Sequence, residues 1–489
     1  MTAQTLDSND FKNAFHWAAT QKNGTIPSFA THPNDPYTYQ PGFNNSFESE
    51  AIAGTIPRGQ NSPRSIRYGL YAEQITASAF VALDTRTRKL GYTGPDQLWL
   101  TKDLWAAFHM LEVCQLPLLT LLRYGVHLHP INPRVHVSPT QLAWKPFPIP
   151  DGQDVDFVQG LKTVAGSGDP TLREGLATHV YVCNKSMTKK AFANSDGDWL
   201  IVPQQGALDI QTEFGFLYVQ PGEICVIQRG LRFKVKVEGP TRGYILEIWV
   251  PIGSFPSWVL WEQTVWPMLV ISFTPSRRTK RPWSIIYKLG GKFFNSTQRH
   301  CPFDVVAWHG NYVPWKYDLT KFVNVGSISV DHIDPSIFCV VTAKSRDPTA
   351  PLADFLIFSP RWDVASHTYR PPYYHRNCAS ELMGLIYGEY GGRSDEFQPG
   401  SISFECGFVP HGVAYEQFAA ASKEDPPVMQ ISLGSIAFMF ETSRALTITD
   451  YAWNSKEKHE HDPKMWDDLV DNFSNFEIDP ELIKHSGKS

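Results

Sequence analysis

The chain has 489 residues, enough for about two to four domains with substantial cores. Its formal net charge of -5 is mild, so no electrostatic footprint points to nucleic acid or to an anionic membrane surface. The seven cysteines are odd in number, scattered and free of any Cys-x-x-Cys pair, which argues against a disulfide framework and a structural zinc site.

In chain order, residues 1–50 are rich in Asn, Pro, Ser and Thr and read as an irregular lead-in. They lack the basic and apolar regions of a signal peptide, so a cytoplasmic protein is expected. Residues 51–300 read as an N-terminal β-rich domain. Within it the runs Asp198–Pro203, Gly215–Glu223, Ile224–Gly230 and Thr241–Ile248 are short apolar stretches separated by Gly and Pro turns. That spacing predicts a sandwich or barrel. The most apolar stretch, Trp258–Phe273, is interrupted by Glu262, Gln263 and Pro267 and is too short to span a bilayer. Residues 301–445 form a second run of predicted strands, among them Ser336–Ala343, Asp354–Phe358 and Glu381–Gly388. Residues 446–489 read as a charged tail with a short helix at Pro463–Phe473. The expected fold class is therefore mainly β.

The chemistry concentrates in Pro371–Glu381 and in Val409–Gly412. Two neutral imidazoles and one carboxylate on one side of a metal leave positions open for O2 and a chelating substrate, the usual non-haem iron(II) arrangement. His375 and Glu381 are six apart, and in a continuous strand an even separation puts both side chains on one face. His411 precedes a glycine at a predicted turn, a suitable place for a third ligand. Spacing alone leaves a second reading open, in which these are satisfied core or loop histidines. His127 and His129 alternate like a ligand pair but have no suitably spaced carboxylate. His459 and His461 lie in the charged tail and read as a solvated face. His309, between Trp308 and Gly310, could act as a positioned general base or be structural.

The stretch Pro371–Tyr390 resembles the iron-binding segment of the homogentisate 1,2-dioxygenase family. Gly54–Pro63, Leu70–Gln74, Trp144–Phe147, Asn194–Asp198, Gln228–Gly230, Val306–Tyr312 and Asp334–Phe338 resemble other stretches of that family, in the same order. The resemblance implies a large β-rich N-terminal domain followed by a cupin-like (jelly-roll) C-terminal domain that carries the site. It implies a homo-hexamer built as a dimer of trimers. It also implies O2-dependent opening of the homogentisate ring to maleylacetoacetate, in phenylalanine and tyrosine breakdown. By motif match His375, Glu381 and His411 bind Fe(II), and His411 also borders the substrate. His309 matches the residue that handles the ring-hydroxyl proton, and Tyr390 a substrate-contacting tyrosine.

Three departures stand out. Glu405 occupies a position where the family usually carries a histidine that approaches substrate. A carboxylate there would repel an anionic acetate group, which suggests a paralogue acting on another hydroquinone-type acid. Ser254–Phe273 carries three tryptophans where the family has a loop rich in Gly and Asn. Reading permitted codons from each third base gives Leu-Pro-Glu-Leu-Gly-Pro-Leu-Gly-Ala-Asn-Gly-Leu-Ala-Asn-Ala-Arg-Asp-Phe, which resembles that loop. The stretch therefore reads as frame-shifted, and peptides from the purified protein that match it as written would overturn this. A disrupted loop also opens the reading of a catalytically silent cupin-like protein. Arg88–Val137 matches the family poorly and is longer than expected.

Overall fold

The computed structural model describes residues 34–37, 39–41, 134–249, 261–263, 268–270, 282–299, 301–303, 314–322, 338–343, 345, 350–363, 375–390, 397–413, 415, 419 and 429–459. The mainly-β expectation is borne out: the described residues are organised around three large sheets and a two-stranded ribbon. Each sheet runs as a two-ended order of strands rather than a closed ring. None of the described helices is long and apolar enough to cross a membrane.

The ten-stranded sheet is centred on Thr241–Trp249, which pairs antiparallel with Glu174–Cys183 on one side and Asp198–Gln205 on the other. These strands are buried along nearly their whole length, as their continuous apolar runs require. The six-stranded sheet is built around Lys190–Asn194, Arg232–Lys236 and Trp283–Leu289. The eight-stranded sheet contains, in spatial order, Trp261–Gln263, Cys339–Ala343, Ala353–Phe358, Ile436–Thr442, Ser380–Tyr387, Ile402–Glu405, Leu142–Trp144 and Lys458–His459. Its order is far from the chain order. An early segment, Leu142–Trp144, pairs with Ile402–Glu405, and the late segment Thr447–Thr449 adds to the ten-stranded sheet beside Leu161–Asp169.

One continuous core joins these sheets. It includes Phe157, Trp199 and Trp315 with Leu382, Ile386, Phe404, Phe438 and Phe440. Each such side chain contributes roughly 1.5–3 kcal/mol when fully buried. The two-residue alternation of Ser380–Tyr387 sends Leu382 and Ile386 into that core, while Met383 and Leu385 join a separate cluster with Phe397 and Ala437. Glu381 shares the period of Met383 and Leu385, so it stands on the second face of the sheet. The phenol of Tyr244, from the ten-stranded sheet, lies 3.2 Å from the Leu385 carbonyl and 3.1 Å from that of Ser401. Gln204 Nε2 donates to the Ile386 carbonyl at 3.2 Å.

The Asn194–Asp198 and Gln228–Gly230 motifs find their role in this scaffold. Lys288 Nζ lies 2.7 Å from both Asp196 Oδ2 and Glu247 Oε1, with all three side chains buried. Asn194 Nδ2 donates to Glu247 at 2.6 Å, and His179 Nε2 meets the other Glu247 oxygen at 2.9 Å. The Gly290 and Gly291 amides donate to Asp196, and Arg229 donates to Asp198. Burial works to raise the Glu247 pKa, but Lys288 and His179 outweigh it and hold the carboxylate ionised. At Gly197 an added Cβ would meet the Ile248 carbonyl oxygen at 2.5 Å, so only glycine fits between these strands.

Residues 458–459, expected on a solvated tail, instead pair with Leu142–Trp144, and Lys458 Nζ sits 4.2 Å from the Trp453 ring centroid. The expected helix at 463–473, His127, His129, His461 and most of Arg88–Val137 lie outside the described residues. Within Ser254–Phe273, Trp261–Gln263 pairs with Cys339–Ala343 and Met268–Val270 with Tyr39–Pro41 and Trp315–Asp318. The rest of that stretch lies outside the described residues.

Candidate metal centre

His375, Glu381 and His411 come together: each offers one ligand atom, and these atoms lie within 4.8 Å of one another. The route differs from a continuous strand. The strand begins only at Ser380, and Glu381 is its second residue. His375 precedes it and forms an isolated antiparallel bridge with His411. The bridge is a reciprocal pair of backbone bonds, His375 N to His411 O at 3.1 Å and His411 N to His375 O at 2.9 Å. It brings the two imidazoles edge to face, with centroids 4.4 Å apart. The strand supplies the carboxylate and the bridge supplies the two rings.

His411 is buried; its Nδ1 faces the Val409 carbonyl at 3.0 Å, and its Nε2 is 3.6 Å from Glu381 Oε1. An Nδ1–H donated to that carbonyl fixes the tautomer that leaves Nε2 as a lone-pair donor toward the carboxylate. Burial pushes the Glu381 pKa up, but the nearby His411, the hydrogen bond from Asn377 and the nearby His375 outweigh it and hold the carboxyl below its usual range. An ionised carboxylate beside two imidazoles is a donor set that fits a divalent cation.

Glu381 belongs to a row of acids. It stands directly opposite Glu405 on one neighbouring strand and Glu441 on the other, and Glu441 stands opposite Asp354. Directly opposed residues share a face, and like charges there are destabilising. Burial, then Glu381 and Asp354, push the Glu441 carboxyl up to about 7. Glu405 is buried, and its Oε1 accepts a 2.8 Å hydrogen bond from Gln141 Nε2, which turns that oxygen toward Leu142–Trp144.

Tyr390 follows the far end of the Ser380–Tyr387 strand from Glu381. Its ring packs near Phe358 and Phe397, with centroids 6.0 and 6.3 Å away. His309 lies outside the described residues. Sequence reasoning passed over Asn377, whose Nδ2 donates to Glu381 Oε1 at 2.6 Å, and Gln141. Asn377 lay inside the motif, but no spacing rule marks a residue that acts through a hydrogen bond.

The N-terminal model of the homogentisate 1,2-dioxygenase family matches residues 38–319, and its C-terminal model matches residues 320–473. The chain belongs to the homogentisate 1,2-dioxygenase family. It is similar to the homogentisate 1,2-dioxygenase of Dictyostelium discoideum, with 46 % identity over 450 residues, covering 89 % of this chain and 98 % of that one. The human family member is 42 % identical over 453 residues, covering 89 % and 97 %. The Arabidopsis thaliana member is 41 % identical over 465 residues, covering 92 % and 96 %. Membership therefore extends over both the scaffold motifs and the segment that carries the triad.

Proposed function

We propose that this chain opens the ring of homogentisate with O2 to give maleylacetoacetate, using iron(II) held by His375, Glu381 and His411. The observation that carries this reading is the convergence of two imidazoles and an ionised carboxylate within 4.8 Å, in a chain matched by the family over residues 38–473. Bound iron(II) would supply open positions where O2 and a chelating phenol meet and exchange charge. The reaction balances with both atoms of O2 retained in the product.

The protein's own groups have distinct tasks. The bridge fixes His375 and His411, and the Val409 carbonyl orients the His411 ring. Met383 and Leu385, further along the face that carries Glu381, pack into an apolar cluster with Phe397 and Ala437 that holds the strand in place. His309 is assigned the ring-hydroxyl proton on its motif match; an imidazole with a pKa near neutral suits that transfer. Glu405 and Tyr390 are assigned to substrate contact, Glu405 because it adjoins Glu381 and Tyr390 by motif match. The assembly is a homo-hexamer, a dimer of trimers, working in the cytoplasm in phenylalanine and tyrosine breakdown; light scattering at the mass of six chains tests its size.

Oxygen uptake by protein loaded anaerobically with iron(II) tests the reading. Homogentisate should drive uptake, and His375→Ala should abolish it. Uptake with gentisate alone would replace homogentisate as the substrate and point to Glu405, whose Glu405→His variant should then regain homogentisate turnover. No uptake with either, from folded iron-loaded protein, would sink the proposal. In the same assay an unchanged KM in Tyr390→Phe would remove that residue from the substrate site.

A further inference from the structure

Glu381 could rotate about its side-chain torsions, and a ligand free to do so would cost affinity when it is ordered. Three observations show what restrains it. Asn377 Nδ2 donates to Glu381 Oε1 at 2.6 Å, while its Oδ1 accepts from the Ala379 amide at 3.2 Å. Both ends of one amide are thus used, which fixes which end is the donor. The Asn377 backbone carbonyl in turn accepts from the Phe408 amide at 2.7 Å, on the segment that leads to His411. Phe408 carries a positive φ of 63°, a costly conformation for a bulky residue, and the residue is 73 % exposed. The chain tolerates that strain where the turn is latched to Asn377.

We propose that Asn377 is the positioning residue of the metal centre, orienting the Glu381 carboxylate as a ligand while its backbone latches the His411 segment to the same point. This rests on the reading of His375, Glu381 and His411 as metal ligands. The amide occupies one lone-pair direction of Oε1, so the carboxylate presents a fixed orientation to the space between the two imidazoles. Partners of this kind typically change metal affinity by about 10–100-fold when removed. An asparagine suits the task because it donates without adding charge to a face that already carries Asp354, Glu441 and Glu405.

The role of the side chain separates from that of the turn. Asn377→Ala keeps the backbone carbonyl that holds Phe408 but loses both side-chain bonds. Asn377→Asp keeps an acceptor for the Ala379 amide and loses only the donor, setting a carboxylate against Glu381 instead. The measurement is the iron(II) dissociation constant of the full chain, by anaerobic competition with a chromophoric chelator, alongside the melting temperature of the metal-free protein. Both variants should bind iron(II) about 10–100-fold more weakly. Asn377→Asp should do so with a metal-free melting temperature lowered at neutral pH by the second carboxylate set beside Glu381, and Asn377→Gln, which restores an amide donor without charge, should recover part of the loss of affinity. Parental affinity in Asn377→Asp, whether or not Asn377→Ala is weakened, would overturn the proposal by showing that the turn matters and the donor does not. If the parent chain fails to bind iron(II), or His375→Ala binds it equally well, the metal reading itself falls.

Discussion

At the residue scale, the protein sorts its buried acids by what faces them. Glu247 is held ionised by Lys288 and His179, and Glu381 by His411 and Asn377. Glu213 takes the opposite course. It is buried near Arg232, whose backbone amide it accepts at 2.8 Å and whose Nε is 3.9 Å away. Burial dominates and pushes its carboxyl up to about 7, against the pull of Arg232. The folded-state pKa lies above the unfolded one, so the unfolded chain releases this proton first. Stability from this group is complete below about 4.5 and is lost as pH rises through about 7. Glu213→Gln keeps an oxygen for the Arg232 amide and does not titrate. Its stability relative to the parent should therefore rise between pH 5 and pH 8, by about 2–3 kcal/mol at most. Denaturant midpoints at the two pH values measure this; a gap independent of pH would show that Glu213 is ionised in the fold.

At the element scale, the Ser380–Tyr387 strand serves two purposes. Leu382 and Ile386 anchor it in the main core, and Glu381 faces His375 and His411 from the other side. Gly384 lies on the core side of this alternation, where an added Cβ would meet the Phe438 ring at 2.4 Å and Tyr244 at 3.2 Å. Both rings are buried, so neither can swing away freely. Gly384→Ala should destabilise the protein by about 1–3 kcal/mol through overpacking, read as a lower melting temperature. An unchanged melting temperature would mean that Phe438 has room to move. The strand itself was legible in Glu381–Gly388 from its apolar run. That His375 lies outside it was not, because an even spacing is compatible with one strand or with a strand and a bridge.

At the scale of the whole molecule, the two halves are woven together. Leu142–Trp144 completes the sheet that carries Glu381, and Thr447–Thr449 extends the sheet of the other half. Gln141, at the start of the first of these, hydrogen-bonds Glu405 beside the centre. One buried core runs through both sheets, so neither half can open without exposing it. Thermal unfolding should therefore give a single calorimetric transition rather than one for each half. Two resolved transitions would show that the halves are separable despite the exchanged strands.

The sequence by itself determined the mainly-β class, a minority of the strands, the family, and His375, Glu381 and His411 as the candidate ligands. Those features rest on local pattern: apolar runs between turns, and motifs in a fixed order. The tertiary structure decided what depends on contacts between residues far apart in the chain. It set Asp354, Glu441, Glu381 and Glu405 in one row, drawn from four separate strands, because register across a sheet is fixed by packing and not by spacing along the chain. It made Asn194–Asp198 and Gln228–Gly230, which the sequence marks only as family-like stretches, part of a buried polar network with Glu247 and Lys288. It also showed that Asn377, unmarked by any pattern, joins the carboxylate to the segment bearing His411, because a hydrogen bond needs direction as well as proximity.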